Sequence, residues 1–254
     1  MSDATANQGF VRETSPNPAR GMGGQPNEYW TSSGVVRGPV AETEAKSLAA
    51  RSMAVIADPQ PLGLAGFAAA TWTISTVIAG WHGMAAIAEA VPIAIFFGGI
   101  AQFLAGMWAF RRGNTLAATA FSTFGAFNTA WGIWVVLSSA KLVPSTHWGG
   151  MSMAYVAGWF VLVFGVIAAY LAIAALAENL VLVAILTTLA LTYIFDGLGI
   201  MIVGPNNWAT YIGGYCGLVS SLLAFYLSAA LVINATWGRE VLPMFSRRSP
   251  MPQA

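Results

Sequence analysis

The chain has 254 residues, 57% of them hydrophobic and 8% charged, with a formal net charge of +1. Soluble domains carry about 25% charged residues and nucleic-acid binders carry a basic excess, so this composition excludes both; a mean hydropathy of +0.66 points to lipid as the main solvent. The single cysteine, Cys216, has no intrachain disulfide partner and reads as a small packing residue inside an apolar run.

Residues 1–55 break that pattern. They are rich in Gly, Pro, Ser, Asn and Thr, with five acidic and five basic side chains, which predicts a disordered polar N-terminal tail. No apolar signal-peptide core lies in this stretch, so the first span is expected to act as its own insertion signal.

At residues 58–71 the sequence "DPQPLGLAGFAAAT" joins this tail to the apolar region. Pro59 or Pro61 is tolerated at a helix start because its missing N–H is unneeded there. Asp58 can accept a backbone donor as a cap, and Gly63 permits close approach. Helix N-termini bind anions through free N–H groups, so the junction is a candidate binding element as well as a boundary.

Beyond it, apolar runs at 62–81, 90–110, 115–138, 151–176, 180–203 and 208–235 match the roughly 20 residues a helix needs to cross a bilayer. Barrel strands would be about 10 residues long and would alternate apolar with polar. The prediction is an all-α integral membrane protein with six transmembrane helices. Its membrane domain spans 56–238, and a short C-terminal tail follows at 239–254.

Arg12, Arg20, Arg37, Lys46 and Arg51 in the tail, Arg111 and Arg112 between spans two and three, and Arg239, Arg247 and Arg248 after the last span fall on one side. Lys141 alone falls on the other. The positive-inside rule places both termini in the cytoplasm of a cell-membrane protein. Trp81, Trp148 and Trp208 then mark outer span ends, and Trp108 and Trp237 inner ones.

Catalytic signatures do not emerge from this pattern. His82 and His147 sit at span ends or in loops without metal-ligand spacing. No Ser-His-acid set is suggested, and no span contains a lysine. The chain reads as no enzyme, with no metal and no cofactor. Asp196 is the carboxylate well inside a span, where ionisable groups are costly and functional by default. The other interior polar groups are neutral: Gln102, Thr119, Ser122, Thr123, Asn128, Thr187, Thr188, Thr192, Ser220 and Ser221. Such groups either bond across helices or line a narrow path for a polar solute.

Three ordered motifs now carry a resemblance. They are Asp58-Pro59-Gln60-Pro61-Leu62-Gly63-Leu64 followed by Gly66-Phe67, the stretch "FFGGIAQFLAGMWAFRRGNTLAATAFSTFGAF", and "CGLVSSLLAFYLSAALVINATWGREVLP". The chain resembles the acetate uptake transporter family, the succinate–acetate permeases of bacteria and their fungal relatives, from about residue 57 to 243. The resemblance implies a homo-hexamer in the lipid bilayer, each protomer with its own pore for acetate or another short carboxylate such as succinate or lactate.

It also implies a hydrophobic constriction of Phe67, Phe124 and Leu189. Substrate contacts are implied at the proline motif (Asp58, Gln60, Pro61, Leu62, Gly63 and Leu64), at Gln102 and Asn128, and at Ala224, a position tied to substrate size. Five positions depart from the family pattern. Asp58 replaces Asn and would repel an anion, Gln60 replaces Ala and adds an amide donor, Phe124 replaces Tyr, and Asn128 replaces a large aromatic. Asp196 stands where the family is apolar, which points to a bridging or capping role.

A ring of Phe and Leu strips water from an ionised carboxylate without replacing it, at a cost of about 2–7 kcal/mol or more for a buried polar group. An acid with a pKa near the Glu reference of about 4.3 escapes that cost by taking up a proton. The expected function is therefore transport of the carboxylic acid, or of anion together with proton. The alternative class is a non-transporting membrane scaffold or sensor whose working part is the tail.

Overall fold

The computed structural model describes residues 28–31, 34–37, 47, 56–143, 147–148, 151–204 and 206–246. The chain divides into two units, Met1–Val55 and Ile56–Ala254. The first contains a short antiparallel hairpin, β1 (Glu28–Thr31) with β2 (Gly34–Arg37), in the register Glu28 to Arg37. Tyr, Trp and Val favour strand there, so the polar stretch is not featureless. The remainder of the expected tail lies outside the described residues, apart from Ser47.

The second unit contains six helices long and apolar enough to cross a membrane. They are α1 (Gln60–Ile78), α2 (Ile93–Arg111), α3 (Thr115–Ser139), α4 (Met153–Ala175), α5 (Leu180–Ile202) and α6 (Trp208–Trp237). A 3₁₀ segment, Met84–Ala90, leads into α2. A small strand pair, β3 (His147–Trp148) with β4 (Met151–Ser152), leads into α4.

Local chemistry sets the boundaries. The Arg111-Arg112-Gly113-Asn114-Thr115 turn works because Gly113 takes φ +73°, a left-handed conformation that costs glycine little. Asn114 then accepts a bond from Ala117 N at 3.0 Å and starts α3. Asn179 caps α5 in the same way through Leu182 N at 2.8 Å. Asn207 and Thr210 form a reciprocal capping box at α6.

Consecutive helices pack side by side, and α6 returns to pack on α1, so the six close into a ring. The α3–α4 contact is the lightest seam. In lipid the hydrophobic effect does not draw helices together, so close packing decides. A Cβ on Gly158 would come within 2.6 Å of the Gly197 carbonyl, bringing α4 and α5 to backbone contact; Gly125 does the same for α3 against Phe103 N of α2, also at 2.6 Å. Gly214 of α6 lies against the Ala79 backbone just beyond α1.

The first half of α2, Ile93–Ala101, is π-helical. Widened turns of this kind are rare and cluster at functional sites. After α6 the chain turns at Gly238 and folds back. Asn234 binds Val241 N, Leu242 N and Leu242 O, and Tyr226 donates to Pro243 O at 2.7 Å. Residues 241–243 are thus anchored to α6.

Candidate functional site

One buried apolar cluster is shared by several helices of the ring. Phe67 of α1, Phe124 of α3 and Leu189 of α5 all belong to it, at 4%, 2% and 1% exposure. The rings of Phe67 and Phe124 stand 6.4 Å apart with a 47° tilt. Ala224 of α6 and Leu64 of α1 lie in the same cluster.

Tyr193 joins them. Its ring stacks on Phe124 at 6.1 Å and meets Phe127 edge-on at 5.1 Å. The signal for it in the sequence was only its spacing, one helical turn after Leu189, because an aromatic inside an apolar run does not declare which face it occupies. Along α5, Leu180, Leu191, Leu198 and Ile202 are exposed, whereas Leu189, Thr192, Tyr193 and Asp196 are buried. The helical period puts the second set on the opposite face, toward the ring interior.

Polar groups of the spans divide by their partners. Asn128 Nδ2 donates to Gly98 O at 3.1 Å and approaches Gln102 Oε1 at 3.5 Å, linking α3 to the widened part of α2. Ser220 Oγ donates to Ile185 O at 2.9 Å across α6 and α5. Thr188, Thr192 and Ser221 donate to carbonyls of their own helices. Asp196 is 9% exposed and has no hydrogen-bond partner among the described residues. The bridging or capping role expected for it therefore finds no bond to rest on.

The proline motif is largely occupied by its own bonds. Asp58 Oδ1 accepts from Gln60 N at 3.1 Å, Pro61 has no N–H to offer, and Gly63 N donates to Pro59 O at 3.1 Å. Pro61 O in turn accepts from Ser228 Oγ of α6 at 2.7 Å. Few first-turn donors are left for an anion. Gly63 packs against the Phe121 ring, where an added Cβ would stand 2.8 Å away, and Leu62 points outward at 48% exposure. Leu62 is thus not brought into the buried cluster.

Gln60 instead lines a cleft of about 680 Å³ beside the α2–α3 turn. Arg112, Asn114, Thr115, Thr119, Tyr170 and Glu178 share its wall. Arg112 donates to the Ile56 carbonyl, which ties the chain entering α1 to the basic turn. In the sequence this arginine signals orientation alone, because its place in the cleft depends on the packing of separate helices. Among the described residues no group of His, Cys, Asp and Glu is placed to hold a metal ion.

Comparison with known proteins agrees with the motifs. The Escherichia coli (strain K12) succinate-acetate/proton symporter SatP is 31% identical over 189 residues, which cover 74% of this chain and 95% of that protein. The acetate transporter protein patA of Aspergillus clavatus is 31% identical over 182 residues, 70% of this chain and 73% of that one. The Saccharomyces cerevisiae ammonia transport outward protein 2 is 29% identical, over 67% of this chain and 59% of its own length. The solved structure of the bacterial acetate channel SatP superposes with a TM-score of 0.67 at 28% identity, over 74% of this chain and 99% of that one. Residues 41–246 match one family in full sequence comparison, and the chain belongs to it: the GPR1/FUN34/yaaH family.

Proposed function

We propose that this membrane protein moves acetate or a related short carboxylate through the axis of its helix ring, together with a proton. The observation that carries the reading is the buried cluster in which Phe67, Phe124 and Leu189 arrive from three different helices. Relatives named for acetate transport and an acetate channel of the same fold support it. Phe67, Phe124 and Leu189 form the constriction, with Ala224 and Leu64 beside it.

The cleft at Gln60 and Arg112 is the mouth on the basic side, where a guanidinium raises the local concentration of anions. Both termini face the cytoplasm in this reading, and the protomers assemble as a homo-hexamer in the cell membrane. Exposed Phe96, Trp108 and Phe110 on α2 suit lipid or a neighbouring protomer.

A dry ring passes the neutral acid far more readily than the ion. Lowering the external pH toward the acid's pKa raises the neutral fraction, so uptake should rise as pH falls. Labelled acetate uptake into proteoliposomes under an imposed pH gradient tests both statements. Rates that follow total anion and ignore pH would refute the proton step, and absence of uptake would refute the transport reading altogether.

A further inference from the structure

Asp196 is the only Asp, Glu, Lys, Arg or His within the six helical spans apart from Arg111 at the end of α2. It lies seven residues beyond Leu189 on the same face of α5, which sets it about 10 Å further along the axis. Its backbone abuts α6 at Gly213, where an added Cβ would stand 3.4 Å from Asp196 Cβ. A side chain at Gly213 would press on the α5 backbone, 2.9 Å from Thr192 O and 3.1 Å from Asp196 N.

Among the described residues the surroundings offer no counter-charge. On α6, Gly213 is flanked along the contact face by Thr210 and Gly217. On α4, Gly158 and Leu162 meet the adjoining Gly197, and on α1 Ser75 abuts Gly217. The titratable neighbour is Tyr193, one turn back on α5 and buried like Asp196. From α3, Phe124 and Phe127 reach that tyrosine and bring no charge.

Among the described residues the sealed side-chain polar atoms without a partner are Ser122 Oγ and Ser138 Oγ. Asp196 makes no hydrogen bond among the described residues and, at 9% exposure, is not wholly sealed. A carboxyl in this setting is stable as the neutral acid and costly as a lone ion. It stands on the buried face of α5 that also carries Leu189.

We propose that Asp196 is a proton-exchange site for the permeant carboxylate, a role that rests on the transport reading above and extends it. An arriving carboxylate oxygen takes the proton from the Asp196 carboxyl. One O–H bond breaks on Asp196 and one forms on the permeant, and the negative charge passes from permeant to side chain. The neutral acid then enters the ring of Phe67, Phe124 and Leu189, and a hydronium ion from the solvent on the same side gives its proton to the Asp196 carboxylate and leaves as water. Two carboxylic acids have similar intrinsic affinity for the proton, so the exchange is close to balanced and runs in either direction.

Uptake of labelled acetate by reconstituted wild type, Asp196→Asn and Asp196→Glu, over a series of external pH values, tests the site. Above the acid's pKa the neutral fraction falls about tenfold per pH unit. The Asn variant should follow that slope, whereas the wild type and the Glu variant should fall less steeply. An assembled Asp196→Asn protein with the wild-type pH profile overturns the proposal.

Infrared difference spectra on adding acetate to the wild type give a second reading that needs no transport. A protonated-carboxyl band should be perturbed, should shift in Asp196→Glu and should be missing in Asp196→Asn. An unperturbed band in the wild type overturns the proposal even if Asp196→Asn fails to assemble. If the wild type moves no acetate while the band responds, the transport reading fails and Asp196 is left as a proton donor to a bound carboxylate, not to a permeant one.

Discussion

Leu189 is 1% exposed, and its side chain belongs to the cluster that holds Phe67 and Phe124. Leu189→Ala removes several buried carbons without adding charge. Relative uptake of lactate or succinate against acetate, measured by competition, should rise, and the order should relax without inverting, because apolar fit discriminates by only about 10–200-fold. An unchanged ranking in assembled protein would remove Leu189 from the constriction. Burial loss of this kind costs about 2–5 kcal/mol, so the variant needs an assembly check beside the assay. The motifs singled out Phe67 and Phe124 by fixing the register, and the structure shows both buried in one cluster. Tyr193 was not legible, since nothing in a single sequence says which aromatic of an apolar helix turns inward.

At the scale of the elements, the contact of α1 with the widened half of α2 depends on Gly66. A Cβ there would stand 2.5 Å from the Phe97 carbonyl oxygen, a backbone atom that cannot step aside alone. Gly66→Ala should lower the thermal unfolding midpoint in detergent, with an overpacking cost of about 1–3 kcal/mol. Asn207→Ala should also destabilise, by about 0.5–2 kcal/mol for the lost cap, and it additionally removes bonds to Gly199 O and Gly204 O. Equal midpoints for wild type and either variant would contradict these packing and capping roles. Helix ends were readable to within a few residues, because Gly113, Asn114, Asn179 and Asn207 signal turns chemically. The π-helical stretch was not, because apolar residues such as Ile93–Phe97 suit ordinary and widened turns alike.

At the scale of the whole molecule, the basic α2–α3 turn and Lys141 lie at opposite ends of α3. In a Cys216→Ala background, Lys141→Cys should react with an impermeant maleimide applied to intact cells. Arg112→Cys should react only after permeabilisation, and the reverse pattern would invert the topology. Native mass measurement of the protein in detergent should give six chains, and a monomer would leave the exposed face of α2 to lipid alone.

Composition and run length by themselves determined a polytopic helical membrane protein, since nearly 20-residue apolar segments have no other stable solvent. The motifs determined the family, because they fix residue type and order over most of the membrane domain. Which side chains meet was decided only by the tertiary structure. The proline motif reads as an anion site in the sequence, and the structure adds that its Gln60 N and Gly63 N are bonded to Asp58 and Pro59, which leaves few free donors there. Asp196 looked like a bridge between helices, yet its oxygens find no partner among the described residues. The bonds of the proline motif are local, whereas the setting of Asp196 depends on how separate helices approach and rotate against one another, through contacts such as Gly213 on α5 and Gly158 on Gly197. Hydropathy along one chain is blind to that rotation, because lipid and a packed neighbour are equally apolar.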